Sequence, residues 1–321
     1  MEASIASNGA ILLGDTVTCD AHWDRRLRIV THAHSDHLWG LAESLKGCEV
    51  VISSPATKEM VEILRGVRGL TPLPFGQTRE FAGEWITLFQ AGHILGSAQV
   101  LVEKQNGRRI LYTGDFCLSR AEVIPANILV MEATYGHPAQ VRRFKGELEE
   151  RMGELLGKLL KSGPVHIFGY HGKLLETLAM LRRLGLTVPI VLPQRTYDLA
   201  RLGERYGMEF PPYLSSTSQE GREARSGTYI ALYHTGAKKY IGGKAFRITL
   251  SGWEFNQPWK QLSQKDYLLA LSDHADFEEL MEYVQRCGPE LVITDNYRVG
   301  DAQTLASQIR EELGIEARAM P

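Results

Sequence analysis

The sequence predicts an α/β protein in which a strand-rich domain is interrupted by a smaller α/β domain. Three observations lead there. The first 135 residues read mostly as short β-prone runs bounded by Gly, Pro, Asp or polar residues. Residues 144–192 alternate helix, strand, helix, strand, which is a βαβ pattern. From residue 266 the chain returns to a strand–helix–strand–helix order. With 321 residues there is room for one large or two ordinary domains.

In chain order, the expected strands of the first part are 11–13, 16–19, 27–30, 49–52, 85–89, 99–102, 109–112 and 127–131. Helices are expected at 38–45 and 56–65; the second follows the start signal Ser53-Ser54-Pro55 and has Met60, Val61 and Leu64 at helical spacing. In the middle, 144–160, 173–184 and 197–206 read as helices, and 164–170, 188–192 and 228–233 as strands. The stretch 213–227, rich in Ser, Gly and charge, reads as a loop. The tail reads as strand 267–271, helix 277–286, strand 291–294 and helix 302–313.

Hydrophobic content of 44% and charged content of 23% are those of a globular protein, and no run of eighteen apolar residues predicts a membrane span. The start Met-Glu-Ala-Ser-Ile shows no signal peptide, so a cytoplasmic location is expected. Cys19, Cys48, Cys117 and Cys287 lack CxxC spacing, which argues against disulfides and a cysteine zinc site. Residues 140–265 hold 20 Lys plus Arg against 11 Asp plus Glu, while the remainder holds 16 against 27. A basic segment inside an acidic chain suggests a surface for a polyanion; solvated helix faces are the plainer explanation.

Residues 31–37 read Thr-His-Ala-His-Ser-Asp-His, so His32, His34, Asp36 and His37 fall within six positions after a strand. Imidazole and carboxylate together suit a borderline cation such as zinc. In an extended segment His32 and His34 share a face and point at one centre; Asp36 and His37, as the chain turns, reach a second. His93, in Ala-Gly-His-Ile-Leu-Gly-Ser-Ala, follows a strand and completes the first centre. Asp115, in Tyr-Thr-Gly-Asp, ends another strand, where its two oxygens can bridge two cations. Glu132 ends the strand before Ala-Thr-Tyr-Gly, and His274 stands in Ser-Asp-His-Ala-Asp before a helix. A Glu bonded to a His fixes its tautomer, and such a pair can protonate a leaving alkoxide. Asp20 reads as either a turn residue or the acceptor that orients a ligand histidine. His166 lies in an apolar strand and reads as core, His171 and His234 each end a strand-like run, and His22 and His137 have no distinctive setting.

This constellation resembles the metallo-β-lactamase-fold hydrolases of the β-CASP nuclease group. Asp20 matches the first motif, His32, His34, Asp36 and His37 the second, His93 the third and Asp115 the fourth. Glu132 and His274 match two further β-CASP motifs, and the resemblance covers essentially the whole chain. It implies an αββα sandwich with an inserted small α/β, β-CASP-like cap domain. The expected boundaries are 1–138 and 266–321 for the sandwich and 139–265 for the cap. One departure matters: the strand Leu-Val-Ile-Thr-Asp-Asn ends without the histidine that often binds the second metal. Asp295 stands there, as an oxygen ligand or a residue behind the ligands. The resemblance therefore implies two Zn²⁺ sites, the second weaker or open to Mn²⁺.

The implied reaction is metal-dependent hydrolysis of phosphodiester bonds in RNA or single-stranded DNA, by an exonuclease of nucleic-acid processing or repair. Asp36, Glu132 and His274 are the expected catalytic residues. Lys173, Lys238, Lys239 and Lys244 are expected to contact phosphates from charge and position alone, and Trp253 and Tyr240 either stack on bases or pack in the core. Nucleic acid is the expected partner, with a homodimer or a processing complex open and no membrane association expected. Two other readings stand beside this one: a metallo-hydrolase of a small ester or thioester, and a non-catalytic subunit of a processing complex.

Overall fold

In the computed structural model, which describes residues 2–321, the strand Ala98–Lys104 buries both of its faces. Val100 and Val102 pack in one core and Leu101 in another, because successive side chains of a strand point to opposite faces. The same split runs through its neighbours. Ile110, Ile128, Val130 and Ile293 join the first core; Leu111, Leu129, Met131 and Val292 join the second.

The first core lies between two sheets. One sheet runs, in order, through Ala3–Ile5, Ile11–Leu13, Val17–Cys19, Leu27–Val30, Val50–Ser53 and Thr71–Pro72. The other runs Glu316–Met320, Leu291–Asp295, Ile128–Met131, Arg109–Tyr112, Ala98–Lys104, Glu84–Gln90 and Thr78–Phe81. The second core lies between this second sheet and the helices Phe277–Cys287 and Ala302–Gln308. On the first sheet's side, the helix Pro55–Arg65 buries Met60 and Val61. The layers make the α/β sandwich that the sequence predicts.

Strand direction matters for the site. Leu27–Val30 is parallel to Val17–Cys19, and Ile128–Met131 is parallel to both Arg109–Tyr112 and Leu291–Asp295. Glu84–Gln90 and Arg109–Tyr112 are each antiparallel to the strand between them, so they run the same way as each other. Within the second sheet, the turns after Gln90, Tyr112, Met131 and Asp295 therefore leave at one end.

Residues up to Val141 and His274–Pro321 form one compact unit, and Arg142–Asp273 forms another. The second unit is built on a sheet of order Leu214–Ser215, Ile190–Leu192, Ile230–His234, Val165–Gly169, Phe246–Leu250, Asp266–Leu269 and Trp259–Gln261. All its pairings are parallel except the last. Its helix Leu148–Leu160 buries Met152, Leu155, Leu156 and Leu159 at helical spacing, and His171–Arg183 buries Leu174, Leu175, Leu178 and Leu181.

Several sequence expectations need correction. The junction expected at 265/266 falls at 273/274, because Asp266–Leu269 pairs with Phe246–Leu250 and so completes the second unit's sheet. The junction expected at 138/139 falls at 141/142. The loop expected over 213–227 contains the strand Leu214–Ser215 and the helix Gln219–Ala224, whose cap Ser218 accepts from the Gly221 backbone N–H. The helix expected over 302–313 is α-helical over Ala302–Gln308 and widens to a π turn over Ile309–Leu313. Ala3–Ile5, Thr71–Pro72, Thr78–Phe81 and Glu316–Met320 are not expected from the sequence; each is short, or polar at a sheet edge, where pairing rather than sequence pattern makes the strand. No helix among the described residues is long and apolar enough to cross a membrane, and the four cysteines are free.

Candidate metal centre

Each residue of the centre sits just past a strand of the first unit. The Leu27–Val30 strand leads into Thr31 and His32, and the 3₁₀ turn Ser35–His37 then brings Asp36 and His37 round. Glu84–Gln90 leads to His93, Arg109–Tyr112 to Asp115 and Ile128–Met131 to Glu132. Two glycines allow the tight turns. Gly114 has φ +56° and a Cβ there would stand 2.7 Å from the Ala98 carbonyl oxygen. Gly96 has φ +79°, and a Cβ would meet the Thr57 nitrogen at 2.6 Å. The Gly96 carbonyl accepts from the Ser54 and Thr57 hydroxyls at 2.6 and 2.8 Å, while Ser97 Oγ accepts from the His93 backbone N–H at 3.0 Å. The His93 loop is thereby pinned to the start of the helix Pro55–Arg65.

One group of donors gathers His32, His34, His93 and Asp115. His34 Nδ1 lies 3.1 Å from both His32 Nε2 and His93 Nε2. Asp115 Oδ2 lies 3.5 Å from His32 Nε2 and 3.7 Å from His93 Nε2. Donors about 2.0–2.2 Å from a tetrahedral ion stand roughly 3.3–3.6 Å apart, so this spacing fits a divalent cation. His37, Asp36 and Asp115 form a looser second set, joined through His37. His37 Nε2 is buried without a hydrogen-bond partner among the described residues, 3.4 Å from Asp115 Oδ2 and 3.5 Å from Asp36 Oδ2. A buried polar atom facing two carboxylates in this way also fits a cation. Asp115 Oδ2 is common to both groups.

The electrostatics agree with that fit. Burial pushes the His32 imidazole well below its usual pKa, which keeps it in the neutral form that ligates metals. Burial opposes charge on His37 as well, yet Asp115 and Asp20 hold its pKa up to about 10. Burial would raise the Asp115 carboxyl, and the His37 and His32 imidazoles overcome it and hold it well below the ordinary value. Positive charge is favoured at His37, which faces Asp20, Asp36 and Asp115.

Asp20 lies behind the ligands. Its Oδ2 is 2.8 Å from His37 Nδ1 and accepts from the Tyr112 hydroxyl at 2.9 Å, while Oδ1 accepts from the Thr31 backbone N–H at 2.9 Å. This fixes the ring so that Nε2 faces the site. Glu132 and His274 are also brought together: Glu132 Oε2 lies 2.8 Å from His274 Nδ1, and Oε1 accepts from the Phe116 backbone N–H at 2.7 Å. Donor atoms of Asp115, Glu132 and His274 lie within 4.8 Å of one another, and the His274 ring packs on His93 at 4.4 Å.

Asp295 is not brought into this group as an oxygen ligand. Its Oδ2 accepts from Arg298 Nη1 at 2.6 Å and its Oδ1 from the Tyr297 and Arg298 backbone N–H groups. A buried guanidinium needs a counter-ion, and Asp295 supplies it. The four lysines lie in the second unit and differ. Lys173 is largely buried 3.7 Å from Asp273, and Lys238 donates to Thr249 Oγ1 at 2.7 Å; Lys239 and Lys244 are exposed. Tyr240 and Trp253 are exposed rather than core. His166 is buried against the Tyr229 hydroxyl, and His171 and His234 stack at 4.7 Å.

Sequence reasoning missed Arg28, Thr31 and Tyr112. Arg28 is fully buried, and its Nη2 donates to the backbone carbonyls of Asp20 at 2.9 Å and His37 at 3.3 Å, tying the two turns together. The available sign was an arginine inside the apolar strand Leu-Arg-Ile-Val. Nothing in the sequence marked Tyr112, whose partner is 92 positions away.

The profile of the metallo-β-lactamase superfamily matches residues 29–189, which include His32, His34, Asp36, His37, His93, Asp115 and Glu132. The chain belongs to this superfamily. Its fold therefore implies a divalent metal. It is 31% identical over 318 residues to a probable DNA ligase of Opitutus terrae, an alignment covering 94% of this chain and 29% of that one. It is 24% identical to the transcription termination factor FttA of Pyrococcus horikoshii, over 91% of this chain and 60% of that one. It is 26% identical to the 5' exonuclease Apollo of Gallus gallus, over 89% of this chain and 63% of that one. The chain thus spans less than two thirds of the length of these relatives. These relatives agree with the β-CASP resemblance read from the motifs. A solved structure of an Enterococcus faecalis V583 protein of unknown function shares the fold, with TM-score 0.62 and 13% identity over 94% of this chain and 80% of that one.

Proposed function

We propose that this chain is a metal-dependent nuclease that hydrolyses phosphodiester bonds of single-stranded nucleic acid from an end. The observation that carries the reading is the Glu132–His274 pair set within 4.8 Å of Asp115, the carboxylate common to both donor groups. His32, His34, His93 and Asp115 would hold one cation, and Asp36, His37 and Asp115 a second. Three imidazoles and one carboxylate suit zinc at the first; the more oxygen-rich second suits zinc or Mn²⁺. Such ions, when bound, lower the pKa of water and neutralise charge on phosphoryl oxygens.

The chain's own residues do the rest. Glu132 accepts from His274 Nδ1–H and so orients the ring; with both ring nitrogens protonated, Nε2–H would be the proton given to the leaving oxygen. Asp20 holds His37 in its orientation, and Arg28 holds the two turns that carry them. Lys239 and Lys244, exposed on a basic unit, would meet backbone phosphates. The relatives named for a DNA ligase and an exonuclease support DNA as substrate and attack from an end.

The test is digestion of end-labelled single-stranded DNA and RNA in parallel, with Zn²⁺ and with Mn²⁺, by the chain and by His274→Ala. Cleavage of DNA by the wild type and a loss of about 10²–10⁴-fold in the variant, with bound metal unchanged, is the expected result. Cleavage of RNA alone would reassign the substrate. Full activity in His274→Ala would remove the proton-donor role.

A further inference from the structure

We propose that Trp39 and Tyr297 form a stacking platform for unpaired nucleobases beside the metal centre, with Trp39 the main ring. The inference rests on the nuclease reading above and says where the bases of the strand go.

Both rings are held in place yet left uncovered. Trp39 is 60% exposed and Tyr297 42%. The Trp39 carbonyl accepts from the His22 N–H at 3.1 Å, and Trp39 forms a parallel bridge with Ala21. Gly40 follows with φ +63°, and a Cβ there would stand 2.5 Å from His22 Cβ. The turn that presents Trp39 is thus closed tightly against residues 21–22. Tyr297 lies on Gly9: a Cβ at Gly9 would fall 2.2 Å from Tyr297 Cδ1, so the ring needs the bare backbone. The Tyr297 N–H donates to Asp295 Oδ1 at 2.9 Å, which fixes the turn from below.

The rings belong to one rim. Ile11–Leu13 is antiparallel to Ala3–Ile5 and to Val17–Cys19, so the turn 6–10 stands at the sheet end where Asp20 lies. Contacts then run without a gap: Tyr297 rests on Gly9, Asn8 Nδ2 donates to the His22 carbonyl at 2.9 Å, and the His22 N–H donates to Trp39. Trp39 is two residues past His37, so their backbones are at most about 7 Å apart. The chemistry of the rim selects the occupant. Segments 6–10, 35–40 and 295–300 contain one Lys or Arg, Arg298, and its guanidinium is committed to Asp295 and the Gly9 carbonyl. The rim therefore offers rings and no free Lys or Arg. It takes the neutral face of a base and leaves the phosphate to the cations. Every base has such a face, so the platform favours unpaired strands with little sequence preference.

The probe is a short fluorescein-labelled oligo-dT with phosphorothioate linkages, which resists hydrolysis, titrated with the metal-loaded full chain and followed by anisotropy. Trp39→Ala should weaken binding roughly 5- to 150-fold, the range for one stacked base, and Tyr297→Ala several-fold. Trp39→Phe should restore most of the affinity. Trp85→Ala, an exposed tryptophan near the other end of Glu84–Gln90, should leave it unchanged. Circular dichroism checks folding. Abasic residues placed one at a time along the strand should weaken the wild type most at one position. Trp39→Ala should be indifferent to that same change, because the two removals delete one contact. Unchanged affinity in folded Trp39→Ala, or losses that add in full at every position, would overturn the proposal. So would a wild type that binds no oligonucleotide; the rings would then belong to a protein partner. The ordinary phosphodiester strand is incubated alongside. Base-dependent binding without its cleavage would count against the nuclease reading alone, and cleavage with kcat/KM unmoved by Trp39→Ala against the platform alone.

Discussion

In the first unit the charged groups stand shoulder to shoulder at the ends of strands, mostly buried, each touching the next. In the second unit the positive charge is spread over helices and loops, and Lys239 and Lys244 face solvent. Charges in a low-dielectric setting act strongly on their neighbours, whereas exposed ones are screened within about 10 Å by salt. Removing one group from the first unit should therefore change metal content or the chemical step. Removing an exposed one from the second should change only how tightly a polyanion is held.

The sharpest way to break that contrast is Asp115→Ala. Asp115 Oδ2 faces His32, His93 and His37, so its loss strips both donor groups at once. Metal affinity should drop by more than about 100-fold, beyond the roughly 10–100-fold cost of losing a group that only supports a ligand. Metal counted per chain after dialysis reads this directly. Full retention of both ions would mean that Asp115 is not shared.

Glu132→Gln comes next. The amide still accepts from the Phe116 N–H, but it no longer offers a charged partner to His274 Nδ1. Turnover should fall about 10–100-fold with metal content and substrate affinity unchanged. A variant that instead lost metal would move Glu132 from the proton pathway to the ligand set.

Asp20→Asn tests the support of one donor group against the other. His37 Nδ1 loses its carboxylate, so the second ion should weaken by about 10–100-fold while the first holds. Asp20 is buried and bonded to Thr31, Tyr112 and His37, so a lower melting temperature should accompany the change. Equal weakening of both ions would show that Asp20 supports the whole centre.

What is legible in the sequence follows the same division. His32, His34, Asp36 and His37 are readable because one strand end and one turn place them, so short spacing carries the geometry. His93, Asp115, Glu132 and His274 each sit after a strand in recognisable local wording, and the fold only has to bring those ends together. Tyr112 and Arg28 are not legible because their roles are set by tertiary partners: a hydroxyl 92 positions from Asp20, and a guanidinium bridging two carbonyls. Asp295 stays open in the sequence for a related reason. Its partner Arg298 lies only three positions away, but nothing in the spacing says that the arginine is buried. The lysines stand out by charge, and charge does not reveal that Lys173 is turned inward to Asp273.

The smallest effects belong to the second unit. Lys239→Ala and Lys244→Ala should each weaken binding of single-stranded DNA only a few-fold near 0.1 M salt, with turnover at saturating substrate unchanged. Each lysine that no longer meets a phosphate should also lower the slope of log affinity against log salt by about 0.7 for a single strand. Lys173→Ala should behave differently: it removes a largely buried cation 3.7 Å from Asp273, so stability should fall with little change in the salt slope. Fluorescence anisotropy across a salt series separates the two classes. If Lys239→Ala and Lys244→Ala leave the slope where it was, the exposed positive charge of the second unit is a solvated surface, and binding must come from the first unit.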